Sequence, residues 1–194
     1  DASGRYIEFC KSCLQRNINF NQLKIVLDVA NGAAYDVAPK VFKELGAEII
    51  VLSNQPDGTN INKNCGSTDI KLLQKEVIKN KADFGIAFDG DGDRLIFVDE
   101  NAIELNGDDI LYVLARDKFE NQITLGSKGI VGTIMTNKGL EISLAKMGVD
   151  LIRTDVGDRH VLQKLEELNW DLGGEQSGHI ISLDSSNSGD AIIA

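Results

Sequence analysis

The chain has 194 residues, 42% hydrophobic and 26% charged, and a formal net charge of −10, which suits one large or two small soluble globular domains. The acidic balance argues against nucleic acid or an anionic membrane as partner, since both call for clustered Lys and Arg. No run approaches the roughly 18 apolar residues of a membrane span, and no charged-then-apolar leader opens the chain.

From the N-terminus, Arg5 to Arg16 reads as a helix with Tyr6, Phe9, Cys10, Cys13 and Leu14 on one face. Cys10 and Cys13 have C-x-x-C spacing. A redox pair would follow a strand and open a helix, and a zinc site would need four ligands, so the pair reads as part of a buried helix face. With Cys65 the cysteines number three, a sparse odd count that fits a reducing, cytoplasmic compartment. Lys24 to Val29 is a β-rich run. A helix follows from Ala33 to Leu45, stopped by Gly46, and a strand from Glu48 to Leu52. Gln55 to Gly66 is a turn-rich loop. Thr68 or Asp69 is placed to cap a helix running to about Asn80. Ala82 to Phe88 and Leu95 to Val98 are strands.

The pattern then restarts: a helix from Asn106 to about Arg116, a strand Gly129 to Ile134, and a helix Asn137 to Met147 ended by Gly148. A strand Val149 to Arg153, a helix Asp158 to Leu168, and strands Trp170 to Gly173 and Ile180 to Leu183 complete it. Two such sets predict an α/β fold of two consecutive similar small domains, 1–105 and 106–194, with mixed, partly parallel sheets. The start without Met, and an end at Asp190 to Ala194 that reads as an opening helix, suggest an excised piece.

The strongest chemical signal is Phe88-Asp89-Gly90-Asp91-Gly92-Asp93-Arg94. Carboxylates at i, i+2 and i+4 can aim at one point when the glycines between them accept positive φ or close approach. Three converging carboxylates repel one another unless a cation neutralises them, and hard oxygen ligands suit Mg²⁺ or Ca²⁺. An EF-hand is rejected: Arg94 stands at the position of its turn glycine and the flanks read as strands. A dehalogenase-type phosphatase would use Asp89 as nucleophile, Asp91 as acid–base and Asp108-Asp109 as a distal metal pair. Asp93 does not suit it, nor does the set of α/β units before the loop.

With this loop the sequence resembles the α-D-phosphohexomutase superfamily, and most closely its glucosamine branch. The resemblance is carried by Gly4-Arg5-Tyr6-Ile7, Asp28 to Ala33, Asn60-Ile61-Asn62, Cys65-Gly66-Ser67-Thr68, Asp89 to Arg94, Val156-Gly157-Asp158-Arg159 and Gly174-Glu175-Gln176-Ser177-Gly178-His179. It implies domains two and three of a four-domain enzyme, with the phosphorylatable serine and the phosphate site on segments not present here. It also implies Mg²⁺ on Asp89, Asp91 and Asp93, with Arg94 stabilising phosphoryl oxygens. The expected reaction interconverts glucosamine 6-phosphate and glucosamine 1-phosphate through a bisphosphate, for cell-wall amino-sugar synthesis. Glucose or mannose phosphate is the alternative substrate within the superfamily.

Glu175 and Ser177 would share a face of an extended segment and, with His179, read the sugar. Asp158 reads as a helix cap beside Arg159, and His160 stands where relatives have Tyr. The chain alone is expected to be inactive.

Overall fold

The computed structural model describes residues 1–14, 18–120 and 129–194. The chain divides into two compact units, 1–104 and 105–192, the last two residues aside.

The first unit opens with α1 (Ala2–Ser12). The helical reading to Arg16 runs past it, and residues 15 and 16 lie outside the described ones. Its buried face is Ile7 and Cys10, whereas Phe9 is 45% exposed, so the predicted stripe through Phe9 is rotated away from the core. Cys10, Cys13 and Cys65 are all free thiols. Next come β1 (Lys24–Asp28), a 3-10 turn at Ala33–Tyr35 and α2 (Val37–Glu44). The single helix expected from Ala33 is thus split. Gly46 takes φ 103 just past α2, as a C-terminal stop glycine does.

β2 (Glu48–Leu52) follows, then a 3-10 turn at Gly66–Thr68 and α3 (Lys71–Asn80). That turn takes up the residues expected to cap α3, which starts after Ile70 without a side-chain cap. The unit ends with β3 (Phe84–Phe88), β4 (Leu95–Asp99) and the short β5 (Glu104–Leu105). The sheet order is β2-β1-β3-β4-β5, with β1 parallel to β2 and β3, and β4 antiparallel to β3. β1 buries Ile25, Val26 and Leu27 in succession, as a central parallel strand covered on both faces must.

The second unit holds α4 (Gly107–Glu120), β6 (Gly129–Thr133), α5 (Lys138–Lys146) and β7 (Asp150–Thr154). Then come α6 (Asp158–Leu168), β8 (Leu172–Gly174) and β9 (Ile180–Ser182). Its order is β7-β6-β8-β9, with β6 parallel to β7 and β8, and β9 antiparallel to β8. Asn137 caps α5, its Oδ1 accepting from the Leu140 N–H at 2.8 Å. Buried Lys118 on α4 reaches Asp171 at 3.0 Å and Asp184 at 2.5 Å, tying the helix to both outer ends of the β8–β9 hairpin.

The two units repeat one plan. Each has a first strand in the middle, a second outside it, a third on the other side and an antiparallel fourth. The cores correspond at four positions. In the first, Val26, Leu73, Val77 and Val98 pack together around Gly85, which pairs with both Val26 and Val98. In the second, Val131, Val161, Leu165 and Ile181 surround Gly173, which pairs with Val131 and Ile181. Neither glycine has room for a Cβ. At Gly85 it would lie 2.7 Å from Leu73 and Val77, and at Gly173 it would lie 2.9 Å from Val161. The third strand of each unit therefore lets its covering helix settle close on the sheet.

Candidate functional site

The acidic loop is the tip of the β3–β4 hairpin. Phe88 pairs with Leu95, and the Asp89 N–H donates to the Arg94 carbonyl at 3.2 Å, so residues 89–94 bulge beyond the last rung. One oxygen of Asp89, Oδ1, accepts backbone N–H bonds from Gly92, Asp93 and Arg94, each at 3.1 Å. This wraps the loop around its own first residue. The two glycines do different work: Gly92 takes φ 78, while Gly90 is packed so tightly that a Cβ would lie 2.7 Å from Asn62 Nδ2 and from Ile61.

One oxygen each of Asp89, Asp91 and Asp93 lie within 4.8 Å of one another, the one such group of three acids, or acids with His or Cys, among the described residues. Asp89 is buried, Asp91 exposed and Asp93 between them. Burial, then the hydrogen-bonded Asp93 and the charges of Asp93 and Asp91, push the Asp89 carboxyl up to about 7, against the downward pull of the Arg94 N–H. A cation would relieve that repulsion, and an all-carboxylate donor set open on the Asp91 side fits a hard divalent ion. Arg94 is half exposed, its Nε 3.9 Å from both Asp89 Oδ2 and Asp93 Oδ1, too far for a tight ion pair. The loop's flanks are strands, as the rejection of an EF-hand supposed.

In the second unit, Glu175, Ser177 and His179 lie on the turn between β8 and β9, the position that the acidic loop occupies in the first. The segment is not extended: Gly178 N–H donates to the Glu175 carbonyl at 3.0 Å and Glu175 N–H to the His179 carbonyl at 2.9 Å. Glu175 and Ser177 therefore do not share a face. Glu175 is buried with Oε1 accepting from the Gly157 N–H at 2.8 Å, while Ser177 stands exposed at the tip. His179 is buried, its ring against Gly189, where any Cβ would overlap it. Asp158 is not the cap of α6. Gly157, at φ 128, holds that position, and Asp158, Arg159 and His160 are all exposed on the first turn.

Asp108 and Asp109 belong to no cluster of three metal-ligating side chains among the described residues. Asp108 Oδ2 accepts from the Asn137 backbone and side-chain N–H groups, both at 2.9 Å, and Asp109 Oδ2 from the Asn106 N–H at 2.9 Å. Burial pushes the Asp108 carboxyl up, and the two Asn137 bonds oppose it. Sequence reasoning assigned no part to Asp28, a fully buried carboxylate, or to Gly32 and Gly107, whose missing side chains admit the Gly90 and Glu175 carbonyls. The Asn-Gly pair after a buried strand was the available signal for Gly32.

Comparison with known proteins agrees with this geometry. Residues 4–104 match the family model of phosphoglucomutase/phosphomannomutase α/β/α domain II, and 106–194 match that of domain III. The whole chain is 55% identical to the phosphoglucosamine mutase of Aliivibrio fischeri and 53% identical to that of Histophilus somni, covering 43% of each. The chain thus spans less than half the length of these relatives. Among solved structures, a phosphoglucomutase/phosphomannomutase family protein from Burkholderia thailandensis superposes with a TM-score of 0.87 at 26% identity, over the whole chain and 42% of that protein. The Aspergillus fumigatus N-acetylphosphoglucosamine mutase, in complex with GlcNAc-6P and magnesium, shares the fold with a TM-score of 0.73 at 20% identity, over 97% of the chain and 48% of that protein. None of these matches is to a dehalogenase-type phosphatase. The chain belongs to the phosphoglucomutase/phosphomannomutase family and carries its domains II and III.

Proposed function

We propose that this chain is the metal-binding and sugar-reading part of a cytoplasmic phosphoglucosamine mutase, which interconverts glucosamine 6-phosphate and glucosamine 1-phosphate. The observation that carries the reading is the convergence of Asp89, Asp91 and Asp93 at a hairpin tip, in a chain 55% identical to a phosphoglucosamine mutase throughout its length. Residues 1–105 would act as domain two and 106–194 as domain three, with the phosphoryl-carrying serine and the substrate phosphate site on other segments of the protein.

Asp89 Oδ2, Asp91 and Asp93 would hold Mg²⁺, which when bound supplies positive charge to the oxygens of a transferring phosphoryl group. The Arg94 guanidinium would add a second positive group on the same side. Ser177, exposed at its turn, and the free oxygen of Glu175 would meet the sugar hydroxyls or amine. His179 would hold the turn in shape. Catalysis in such a site is positioning and charge stabilisation more than bond chemistry by the protein.

The test is an isomerisation assay on the intact protein. Conversion of glucosamine 6-phosphate should stop on chelation, return with Mg²⁺, and exceed that of glucose or mannose 6-phosphate by roughly tenfold or more. Equal rates on the three sugars would move the reading to another branch of the family. Release of inorganic phosphate without isomerisation would replace the mutase with a phosphatase.

A further inference from the structure

We infer that the turn after β1, residues 29–33, is a positioning device for the metal loop, with the Ala33 N–H on the Gly90 carbonyl as its working contact. The inference rests on reading Asp89, Asp91 and Asp93 as metal ligands. Ala33 N–H donates to Gly90 O at 2.8 Å, and Gly32 lies so close that any Cβ there would collide with that carbonyl. On the other side Gly90 meets Ile61 and Asn62. Gly90 is therefore held in a slot between two segments, and it is the residue that joins Asp89 to Asp91.

Both walls of the slot hang from one carboxylate. Asp28 is fully buried at the end of β1, its Oδ1 accepting from the Ala30 N–H at 3.0 Å and its Oδ2 from the Gly66 N–H at 2.9 Å. Ala30 O in turn accepts from the Asn62 N–H at 2.9 Å. Ala30 and Asn31 sit in the left-handed region at φ 53 and φ 48, a conformation unfavourable for side-chain-bearing residues that must be held by its surroundings. Asn31 supplies further restraint: its N–H donates to Ser53 O at 2.6 Å and its Oδ1 accepts from the Gln55 N–H at 3.0 Å. A turn bent this way, anchored at three points and closed on Gly90, fixes where the loop backbone runs before any ion arrives. Carboxylates placed in advance lose less freedom on binding, which raises affinity.

Ala33→Pro tests this directly. Ala33 is exposed and is the first residue of its 3-10 turn, where proline is tolerated, and Gly32 before it is extended at φ −109, ψ −161, as proline requires. The substitution replaces the N–H that holds Gly90 with a ring methylene aimed at the same carbonyl, so it breaks the contact and pushes the loop backbone away. Mn²⁺ would serve as the probe, titrated into the chain by electron paramagnetic resonance. Ala33→Pro should weaken Mn²⁺ binding by at least about threefold, the scale of one lost hydrogen bond being the lower limit, while Ala33→Ser, which keeps the N–H, binds as wild type.

Without metal, amide exchange at Gly92, Asp93 and Arg94 should accelerate in Ala33→Pro but not in Val77→Ala, which loosens the core of the same unit away from the loop. Should Ala33→Pro fail to fold, Asp28→Asn carries the same expectation from the far end of the network, since an amide cannot accept both backbone N–H groups. Unchanged affinity and exchange in a folded variant would overturn the positioning role. An equal loss in Val77→Ala would reduce it to general stability. A wild-type chain that binds no Mn²⁺ would instead remove the metal reading, and the inference with it.

Discussion

Asp89 commits one oxygen to three backbone N–H groups and lies within 4.8 Å of Asp91 and Asp93, one oxygen of each counted. Its carboxyl is raised to about 7, so in the metal-free chain its neutral form is favoured by folding. The linkage sign follows: the stabilisation this group gives is complete below its unfolded value near 3.8 and is lost as pH rises through about 7. Mg²⁺ needs the ionised form and must displace the proton below that pH. The melting shift produced by Mg²⁺ should therefore grow from pH 5.5 to 8, and a scanning-calorimetry series in which it stayed flat would contradict the coupling. Asp91→Asn, at the exposed ligand, should lower Mg²⁺ affinity by about tenfold or more, as read by titration calorimetry, without lowering the metal-free melting temperature, since it removes one of the repelling charges.

Glu175→Gln in the intact protein should slow transfer to the sugar while leaving Mg²⁺ affinity alone, because Gln keeps the Oε1 that accepts from Gly157 and loses only the charge. A large loss of metal binding would relocate Glu175 to the ion. The acidic triad was legible in the sequence because i, i+2, i+4 spacing across two glycines has few other uses. The Glu175 turn was not. A short Gly-rich segment is a strand or a turn according to where β8 and β9 stop pairing, and that is set by contacts distant in sequence.

Among the elements, strands and helices were foreseen in kind and order, since alternating apolar runs and helical periodicity declare themselves locally. The misplacements fall at ends. α3 starts after a 3-10 turn that replaced the expected cap, and Gly157 rather than Asp158 opens α6, each because a neighbouring loop decides the backbone there. β5 pairs only at Glu104–Leu105, too short to leave a pattern. Lys118, near the end of α4, could not be singled out from sequence either, because its acid partners lie far along the chain. Its side chain is 9% exposed, against 24% for Asp171 and 43% for Asp184. Lys118→Met should destabilise the second unit by about 2 kcal/mol, below the roughly 3–5 kcal/mol of a fully buried pair because water reaches both acids. Urea unfolding followed at Trp170, which lies in that unit, would measure it; a change under about 0.5 kcal/mol would show the cluster to be idle.

At the scale of the whole molecule, each unit has its own sheet, helices and apolar core, enough for independent folding at this size. The chain should melt cooperatively yet convert no glucosamine 6-phosphate, even with Mg²⁺ and glucosamine 1,6-bisphosphate supplied. The proposed phosphoryl carrier lies elsewhere in the protein, and a net charge of −10 repels a dianionic sugar. Turnover that vanished in Asp89→Ala would show a transfer residue within this chain.

The repeated plan of the two units carries a cost of its own during synthesis. Each fourth strand returns beside a third strand with a glycine that faces a helix bearing aliphatic residues: Leu73 and Val77 in one unit, Val161 and Leu165 in the other. A hairpin emerging late from the ribosome would meet two acceptors of similar shape, the setting in which tandem repeats trade segments. What separates them is length. β3 offers five residues to its neighbours and β8 only three, so an exchanged hairpin leaves either unpaired rungs or an overhanging strand. Unequal strand length would thus disfavour exchange between two near-copies of one topology, because either swap leaves backbone groups without partners.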